Sequence, residues 1–171
     1  MAYEFGAIIA ILYNVGSKIK KIKLIVRGKL KKKILIVDDE PGIIRLLSMR
    51  LKAKGYEVFE AFDGLEGVSV AIKKIPDLIL MDIKMPNGGG IGAFERLIQI
   101  DTTKSIPVIF MTAFPTEEIK AKVLKMGAMD CISKPFISKD FELIIEKIID
   151  GNDFNSENQN IDQYTYKHIN N

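Results

Sequence analysis

The stretch ILIVDDEPG, residues 34–42, joins the pattern of a buried strand to a row of three acids. Four apolar residues run directly into Asp38, Asp39 and Glu40, and Pro41 follows them. A continuous apolar run is typical of a strand buried on both faces, and proline suits the first turn of a helix. Adjacent carboxylates repel one another and resist the loss of water. The stretch therefore predicts a buried strand that ends at a bound cation.

The same alternation of strand and helix continues to about residue 150. The predicted strands are residues 34–37, 57–61, 77–81, 107–111 and 129–132. The helices carry apolar residues at helical spacing, including Leu65, Val68 and Ile72 in the second helix and Phe94, Leu97 and Ile98 in the third. Asp63 and Ser138 are predicted to begin helices, and Gly55, Gly127 and Gly151 to end them. Five such units predict an α/β fold with a parallel sheet covered by helices on both faces.

Composition separates the 171 residues into three parts. We predict a basic and apolar N-terminal extension at residues 1–32, one globular domain at 33–150, and a polar tail at 151–171 that is disordered. The chain has one cysteine, Cys131, and one histidine, His168, in the tail. These counts exclude an internal disulfide and a cysteine-rich zinc site, argue against histidine catalysis, and fit a reducing cytoplasm.

The extension holds most of the positive charge. Residues 1–33 contain nine Lys or Arg and one acid, whereas the rest of the chain is acidic on balance. The apolar run at 7–13 is far shorter than the roughly 20 residues that a membrane span needs. Residues 7–33 therefore favour a solvated extension, with a weak contact with an anionic membrane or a contact with nucleic acid as the alternatives.

Polar residues follow four of the five predicted strands. Asp38 and Asp39 follow the first strand, Asp82 the third, Thr112 the fourth and Lys134 the fifth. Ligands of open α/β sheets bind outside the carboxyl ends of the strands, so these side chains are expected to converge. Carboxylates without His or Cys suit Mg²⁺, and a metal with a lysine and a hydroxyl suits phosphoryl transfer. One of the carboxylates would then be the nucleophile of an aspartyl phosphate.

Each residue alone also has a plain structural explanation. The Asp38–Asp39 pair or Thr112 is compatible with a helix cap, Asp82 with a loop acid, and Lys134 before a proline is uninformative by itself. The joint occurrence at the ends of the correct strands favours a functional site.

With ILIVDDEP, LILMDIKMP, FMTA and ISKPF in this order and spacing, the chain resembles the receiver domain of two-component response regulators over about residues 33–150. The resemblance implies a flavodoxin-like (βα)5 three-layer sandwich with strand order 2-1-3-4-5. It implies that Asp82 accepts a phosphoryl group, which Thr112 and Lys134 bind. It also implies a Mg²⁺ cofactor held by Asp39, Asp82 and the backbone carbonyl of Lys84, with Asp38 acting through water. The phosphoryl group would come from a histidine on a sensor kinase or a phosphotransfer protein.

The chain departs from the family pattern at several positions. Cys131 stands three residues before the lysine, where family members usually carry an aromatic residue that moves inward on phosphorylation. The loop after Pro86 contains Gly88, Gly89 and Gly90 in place of the usual Met-Asp-Gly, so we expect it to be more mobile. Lys84 and Phe114 occupy positions that tune dephosphorylation in the family.

The resemblance implies a stand-alone receiver in two-component or phosphorelay signalling, because about 20 residues after the last helix are too few for a DNA-binding domain. Such a protein would act on an unknown downstream protein through contacts, and would catalyse only its own phosphorylation and dephosphorylation. The enzymatic alternative is a Mg²⁺-dependent phosphatase working through an aspartyl phosphate. It would need a carboxylate two residues after the nucleophile, where the chain has Lys84. A flavodoxin-like cofactor binder is disfavoured because the acidic turn DDEPG lacks a phosphate-binding glycine loop.

Overall fold

A computed structural model describes residues 31–86, 88–135 and 139–150 of the chain. The described residues do not include the predicted tail or nearly all of the predicted extension. They also leave out Ser138 and Gly151, which were predicted to begin and to end a helix. The three-part division of the chain therefore stays a prediction. None of the helices in the described ranges is long and apolar enough to cross a membrane.

Strands and helices alternate strictly along the described chain. The strands are β1 (Lys33–Val37), β2 (Glu57–Ala61), β3 (Leu78–Asp82), β4 (Val108–Thr112) and β5 (Asp130–Ser133). The helices are α1 (Pro41–Ala53), α2 (Gly64–Lys74), α3 (Gly89–Leu97), α4 (Glu117–Lys125) and α5 (Lys139–Asp150). All neighbouring strands pair in parallel, in the order β2-β1-β3-β4-β5. The predicted fold class and strand order are confirmed.

Alternate residues of the central strands build two separate cores. In β1, Leu35 and Val37 join the core beneath α2, α3 and α4, whereas Ile34 and Ile36 join the core beneath α1 and α5. Strands β1, β3 and β4 are apolar on both faces because helices cover both faces. The edge strand β2 is only partly buried and carries Glu57 and Glu60. The three-layer prediction is therefore confirmed.

The apolar residues at helical spacing in α2 do not all face the sheet. Leu65 and Ile72 have exposed fractions of 50% and 43%. The buried residues of this helix are small: Gly64, Gly67 and Ala71. A Cβ atom at Gly67 would lie 2.8 Å from Cγ1 of Val37, so only a residue without a side chain allows this close approach. Close packing of backbone against the sheet therefore overrode the apolar periodicity.

The structure confirms the helix ends predicted at Asp63, Gly55 and Gly127. The Asp63 carboxylate accepts a hydrogen bond from the Glu66 backbone N–H at 2.8 Å, as an N-cap should. Gly55 and Gly127 have left-handed φ angles of 91° and 101° just after α1 and α4. Ile98, predicted to belong to the third helix, is the C-cap residue of α3 and is 38% exposed.

The glycines after β3 are required by the close approach of α3 to the end of that strand. The Gly90 backbone N–H donates to the carbonyl oxygen of Ile83 at 3.0 Å. A Cβ atom at Gly90 would collide with the carbonyl oxygen of Asp82. Gly88 and Gly89 have φ angles of 98° and 65°, which favour glycine. The loop geometry therefore depends on glycine, and the expected mobility of the loop stays a prediction.

Substituting two glycines of α3 should have opposite effects on stability. Gly90→Ala should lower the free energy of unfolding by about 2 kcal/mol, because the new methyl group collides with the Asp82 backbone. Gly92→Ala should raise the free energy of unfolding by about 0.5–1 kcal/mol, because Gly92 is helical and has open space around it. Urea unfolding of both variants measures the two changes, and shifts of the same sign would contradict the packing argument.

Candidate functional site

The carboxyl edge of the sheet brings together most of the predicted site residues. Asp38 follows β1, Asp82 ends β3, Thr112 ends β4, and Lys134 follows β5. Strands β3 and β4 each run one residue further than predicted, so Asp82 and Thr112 belong to the strands themselves. This location fixes their backbone positions by the sheet hydrogen bonds rather than by a loop. The Lys134 backbone N–H donates to the Thr112 carbonyl oxygen at 2.7 Å, which ties the lysine to the end of β4.

The ammonium group of Lys134 is the centre of the site. Its Nζ atom lies 2.6 Å from Oδ1 of Asp82 and 2.7 Å from Oδ2 of Asp38. A third carboxylate, Glu40 at the start of α1, approaches Nζ at 3.3 Å. Lys134 was predicted to bind a phosphoryl group, and Glu40 was not predicted to belong to the site, although it stands in the acidic row. In the structure, the lysine bridges the two buried carboxylates directly.

The two neighbouring aspartates have different environments. Asp38 is completely buried, whereas Asp39 is exposed. Oδ1 of Asp38 accepts a hydrogen bond from the Glu40 backbone N–H at 3.0 Å. Oδ2 is buried and forms an ion pair with the Lys134 ammonium at 2.7 Å, and it accepts no hydrogen bond besides that contact among the described residues. The site therefore contains a buried carboxylate oxygen with unused capacity to bind a donor or a cation.

Burial dominates the electrostatics of this cluster. Removal from water raises the pKa of Asp38 and of Asp82, and the ammonium of Lys134 offsets only part of that effect. The charge of Asp38 raises the pKa of Asp82 further. Burial by itself would lower the pKa of Lys134, but the two carboxylates outweigh burial and raise it well above its usual range. Lys134 is therefore the charged member that allows both carboxylates to remain in the interior.

Three further residues surround Asp82. Thr112 is 2% exposed, and its Oγ1 accepts a hydrogen bond from the Phe114 backbone N–H at 3.2 Å. That contact leaves the hydroxyl proton of Thr112 available for an acceptor in the site. A hydrogen bond from the Lys84 backbone N–H lowers the pKa of Asp82. The Lys84 ammonium lies 5.3 Å from the centre of the Phe114 ring, so these two side chains meet beside the site.

Cys131 occupies the position where an aromatic residue was expected. It is 6% exposed and packs in the core beneath α2, α3 and α4. Burial raises the pKa of its thiol to about 11. The side chain is therefore a neutral, buried part of β5.

The donor set fits a hard divalent cation. No three His, Cys, Asp or Glu side chains within the described ranges already form a group that could hold a metal. Mg²⁺ does not need such a group, because it is usually held by one or two carboxylates together with waters and phosphate oxygens. Asp38 and Asp82 supply two buried carboxylates, and Oδ2 of Asp38 accepts no hydrogen bond besides its contact with Lys134 among the described residues. The direct role predicted for Asp39 and the carbonyl role predicted for Lys84 stay predictions.

Removing the bridging lysine should destabilise the protein in a pH-dependent way. Lys134→Met should cost about 3 kcal/mol at pH 7 without metal, because two buried carboxylates lose their counter-charge. The pKa values of Asp38 and Asp82 are already raised in the folded state and should rise further in the variant. Each carboxyl then contributes stability that is present at low pH and is lost as pH rises through its raised folded pKa.

Urea unfolding of Lys134→Met in a metal chelator at pH 7 and pH 5 tests this expectation. The loss relative to the parent should be smaller at pH 5. Lys104→Met is the control, because Lys104 pairs with Asp101 on the surface and its loss should matter little at either pH. An equal loss for Lys134→Met at both pH values would contradict the buried-charge explanation.

Comparison with known proteins agrees with this geometry. Residues 34–147 match the family described as the response regulator receiver domain. The chain is 36% identical over 131 residues to the probable transcriptional regulator ycf27 of Porphyridium aerugineum, covering 77% of this chain and 53% of that protein. It is 35% identical over 120 residues to sporulation initiation phosphotransferase F of Bacillus subtilis, covering 70% of this chain and 95% of the relative.

Solved structures indicate the same family. The chemotaxis protein CheY4 of Vibrio cholerae superposes with a TM-score of 0.66 at 29% identity, covering 69% of this chain and 98% of that one. The chain spans about half the length of the transcriptional regulators that it matches. The matched region contains all the site residues described above, from Asp38 to Lys134. The chain therefore belongs to the family of response regulator receiver domains.

Proposed function

We propose that this chain is a Mg²⁺-dependent phosphoryl acceptor in two-component or phosphorelay signalling, with Asp82 as the residue that is phosphorylated. The observation that carries the proposal is the position of the Lys134 ammonium, 2.6 Å from Asp82 and 2.7 Å from Asp38. A buried carboxylate beside a cation and a second buried carboxylate is suited to accept a group whose oxygens carry negative charge.

Each side chain of the site would have a separate role in the phosphoryl transfer. An oxygen of the Asp82 carboxylate attacks the phosphorus of a phosphohistidine, the P–N bond breaks, and the electron pair leaves with the imidazole of the donor. Lys134 contacts both carboxylates at rest and would bind a phosphoryl oxygen afterwards. The Thr112 hydroxyl would donate to another phosphoryl oxygen, in a bond strengthened by the charge. Asp38, Asp39, Asp82 and the Lys84 carbonyl would hold Mg²⁺, which neutralises phosphoryl charge when bound.

The surface beside the site supports a protein as the phosphoryl donor. Helix α1 begins next to Glu40, and its outer side exposes Leu46 by 49% and Met49 by 64%. Exposed apolar side chains on the helix that begins at the site suit a helical protein surface that delivers the phosphohistidine. We propose a sensor histidine kinase or a histidine phosphotransfer protein as that donor, in the cytoplasm.

The signal would leave the domain through contacts with a further protein. We propose that the chain acts as a receiver that catalyses only its own phosphorylation and dephosphorylation. The phosphatase alternative has less support, because the residue two positions after Asp82 is Lys84, whose ammonium lies near the Phe114 ring. A lysine side chain is a poor replacement for the carboxylic acid that such a hydrolase needs.

Phosphorylation at Asp82 is directly testable. Incubation of the full chain with acetyl phosphate and Mg²⁺ should add one phosphoryl group, measured by intact-protein mass spectrometry. Asp82→Asn should abolish this addition, because an amide does not form the acyl phosphate. Asp101→Asn removes an exposed acid from the opposite edge of the sheet and should leave phosphorylation unchanged. Phosphate that persists in Asp82→Asn would disprove the assignment of the acceptor.

Asp39 should affect metal binding much more than stability. Asp39→Asn should weaken Mg²⁺ binding roughly tenfold, because one negative ligand is lost from the site. It should change the free energy of unfolding without metal by less than about 0.5 kcal/mol, because Asp39 is exposed. Isothermal titration calorimetry gives the first quantity and urea unfolding the second. Unchanged Mg²⁺ affinity would remove Asp39 from the metal site and leave Asp38 and Asp82 as the carboxylate ligands.

A further inference from the structure

The two edges of the sheet differ in charge. Each strand begins and each helix ends at the edge opposite the site, which is called the amino edge below. The amino edge carries more lysines than acids among the described residues. The lysines are Lys32, Lys33, Lys52, Lys54, Lys73, Lys74, Lys104, Lys125 and Lys147, and the acids are Glu57, Asp77, Asp101, Asp130, Glu146 and Asp150. The carboxyl edge, in contrast, carries the acids of the site.

One part of the amino edge combines these lysines with exposed apolar side chains. At the end of α2, Ile72 is 43% exposed and Ile75 is 46% exposed. The Lys33 ammonium donates to the carbonyl oxygen of Lys74 at 3.1 Å, so the start of β1 adjoins the end of α2. We define the terminal patch as Lys32, Lys33, Ile72, Lys73, Lys74 and Ile75. Asp77 pairs with Lys32 at 2.8 Å, so the net positive charge of the patch comes from Lys33, Lys73 and Lys74. The basic run in the sequence, residues 18–33, ends in this patch.

The backbone conformation at Ile75 is unfavourable for the side chain that it carries. Ile75 has φ 46° and ψ 70°, a left-handed conformation that is costly for a β-branched residue. A helix end of this kind usually carries glycine or asparagine. Pro76 follows and disfavours the right-handed helical conformation for the residue before it, which helps to fix the turn but not the identity of its side chain. The fold alone would therefore favour a different residue here.

We propose that the terminal patch contacts an anionic membrane surface. Exposed isoleucines among lysines match a lipid interface, where apolar side chains enter the acyl boundary and ammonium groups meet the headgroups. Lysines at helix ends also complement the helix dipole, but that effect does not require exposed Ile72 and Ile75. A nucleic acid would be bound mainly through phosphate contacts and stacking on aromatic rings. The ring beside the patch, Phe59, is partly buried and is already in contact with the Lys74 ammonium at 5.0 Å, so it is poorly placed for stacking.

This contact would leave the phosphorylation site accessible. The terminal patch lies at the amino edge, whereas Asp82 lies at the carboxyl edge. A domain held on lipid through the patch presents its site away from the membrane plane, toward a soluble donor domain. The inference does not rest on phosphoryl transfer, because it follows only from the charge and exposure of the patch.

The test is co-sedimentation of the full chain with lipid vesicles. The parent should bind vesicles of phosphatidylcholine containing phosphatidylserine, bind pure phosphatidylcholine weakly, and be released by high salt. The double variant Lys73→Gln/Ile75→Asn should partition onto the anionic vesicles about tenfold less, because one charge and one apolar contact are lost. Ile75→Asn should also raise the midpoint of thermal unfolding by about 2–4 °C, so weaker binding would not reflect unfolding.

Arg45→Gln/Leu65→Asn is the matched control. It removes one exposed cation and one side chain that is 50% exposed, both from outside the terminal patch, and should bind anionic vesicles as the parent does. Anionic vesicle binding that is equal in the parent and in Lys73→Gln/Ile75→Asn would overturn the proposal. An oligonucleotide that loses affinity in Lys73→Gln but not in Ile75→Asn would assign the patch to nucleic acid and would also overturn it.

Discussion

The contact of one ammonium group with two buried carboxylates is the constraint on which the site depends. Lys134 lies within 2.7 Å of both Asp38 and Asp82, and these three residues come from the ends of β5, β1 and β3. Neither carboxylate would be tolerated in the interior without that charge, because desolvation of an unpaired ion is costly. The parallel sheet fixes the relative heights of the strand ends, and so the pairing follows from the register of the sheet.

The same arrangement explains how a resting site is prepared for new charge. Lys134 shares one ammonium group among Asp38, Asp82 and Glu40, so carboxylates outnumber cations around it. Oδ2 of Asp38 accepts no hydrogen bond besides its contact with Lys134 among the described residues. A bound divalent cation would relieve that imbalance, and a phosphoryl group on Asp82 would give Lys134 and Thr112 a new acceptor. The resting ion pairs would therefore be exchanged for others during phosphorylation.

Small residues bring the helices close enough to hold the strand ends in place. Gly67 lets α2 approach Val37, and Gly90 lets α3 approach the Asp82 backbone, where a larger side chain would collide. The result for α2 is that Leu65 and Ile72 turn outward. The exposed apolar side chains of α2 thus follow from the close packing of this helix against β1. In this helix, the packing of small residues against the sheet determines which apolar side chains are exposed.

The sequence by itself determined the strand–helix order, the buried central strands and the residues that meet at the carboxyl edge. These features follow from local periodicity and from the topology of parallel sheets, which places the ends of the strands together. Only the tertiary structure decided that Asp38 is buried and Asp39 exposed, that Lys134 bridges two carboxylates, and that α2 packs through glycine and alanine. Those outcomes depend on distances between segments far apart in the chain, and residue type and spacing along the chain do not specify such distances.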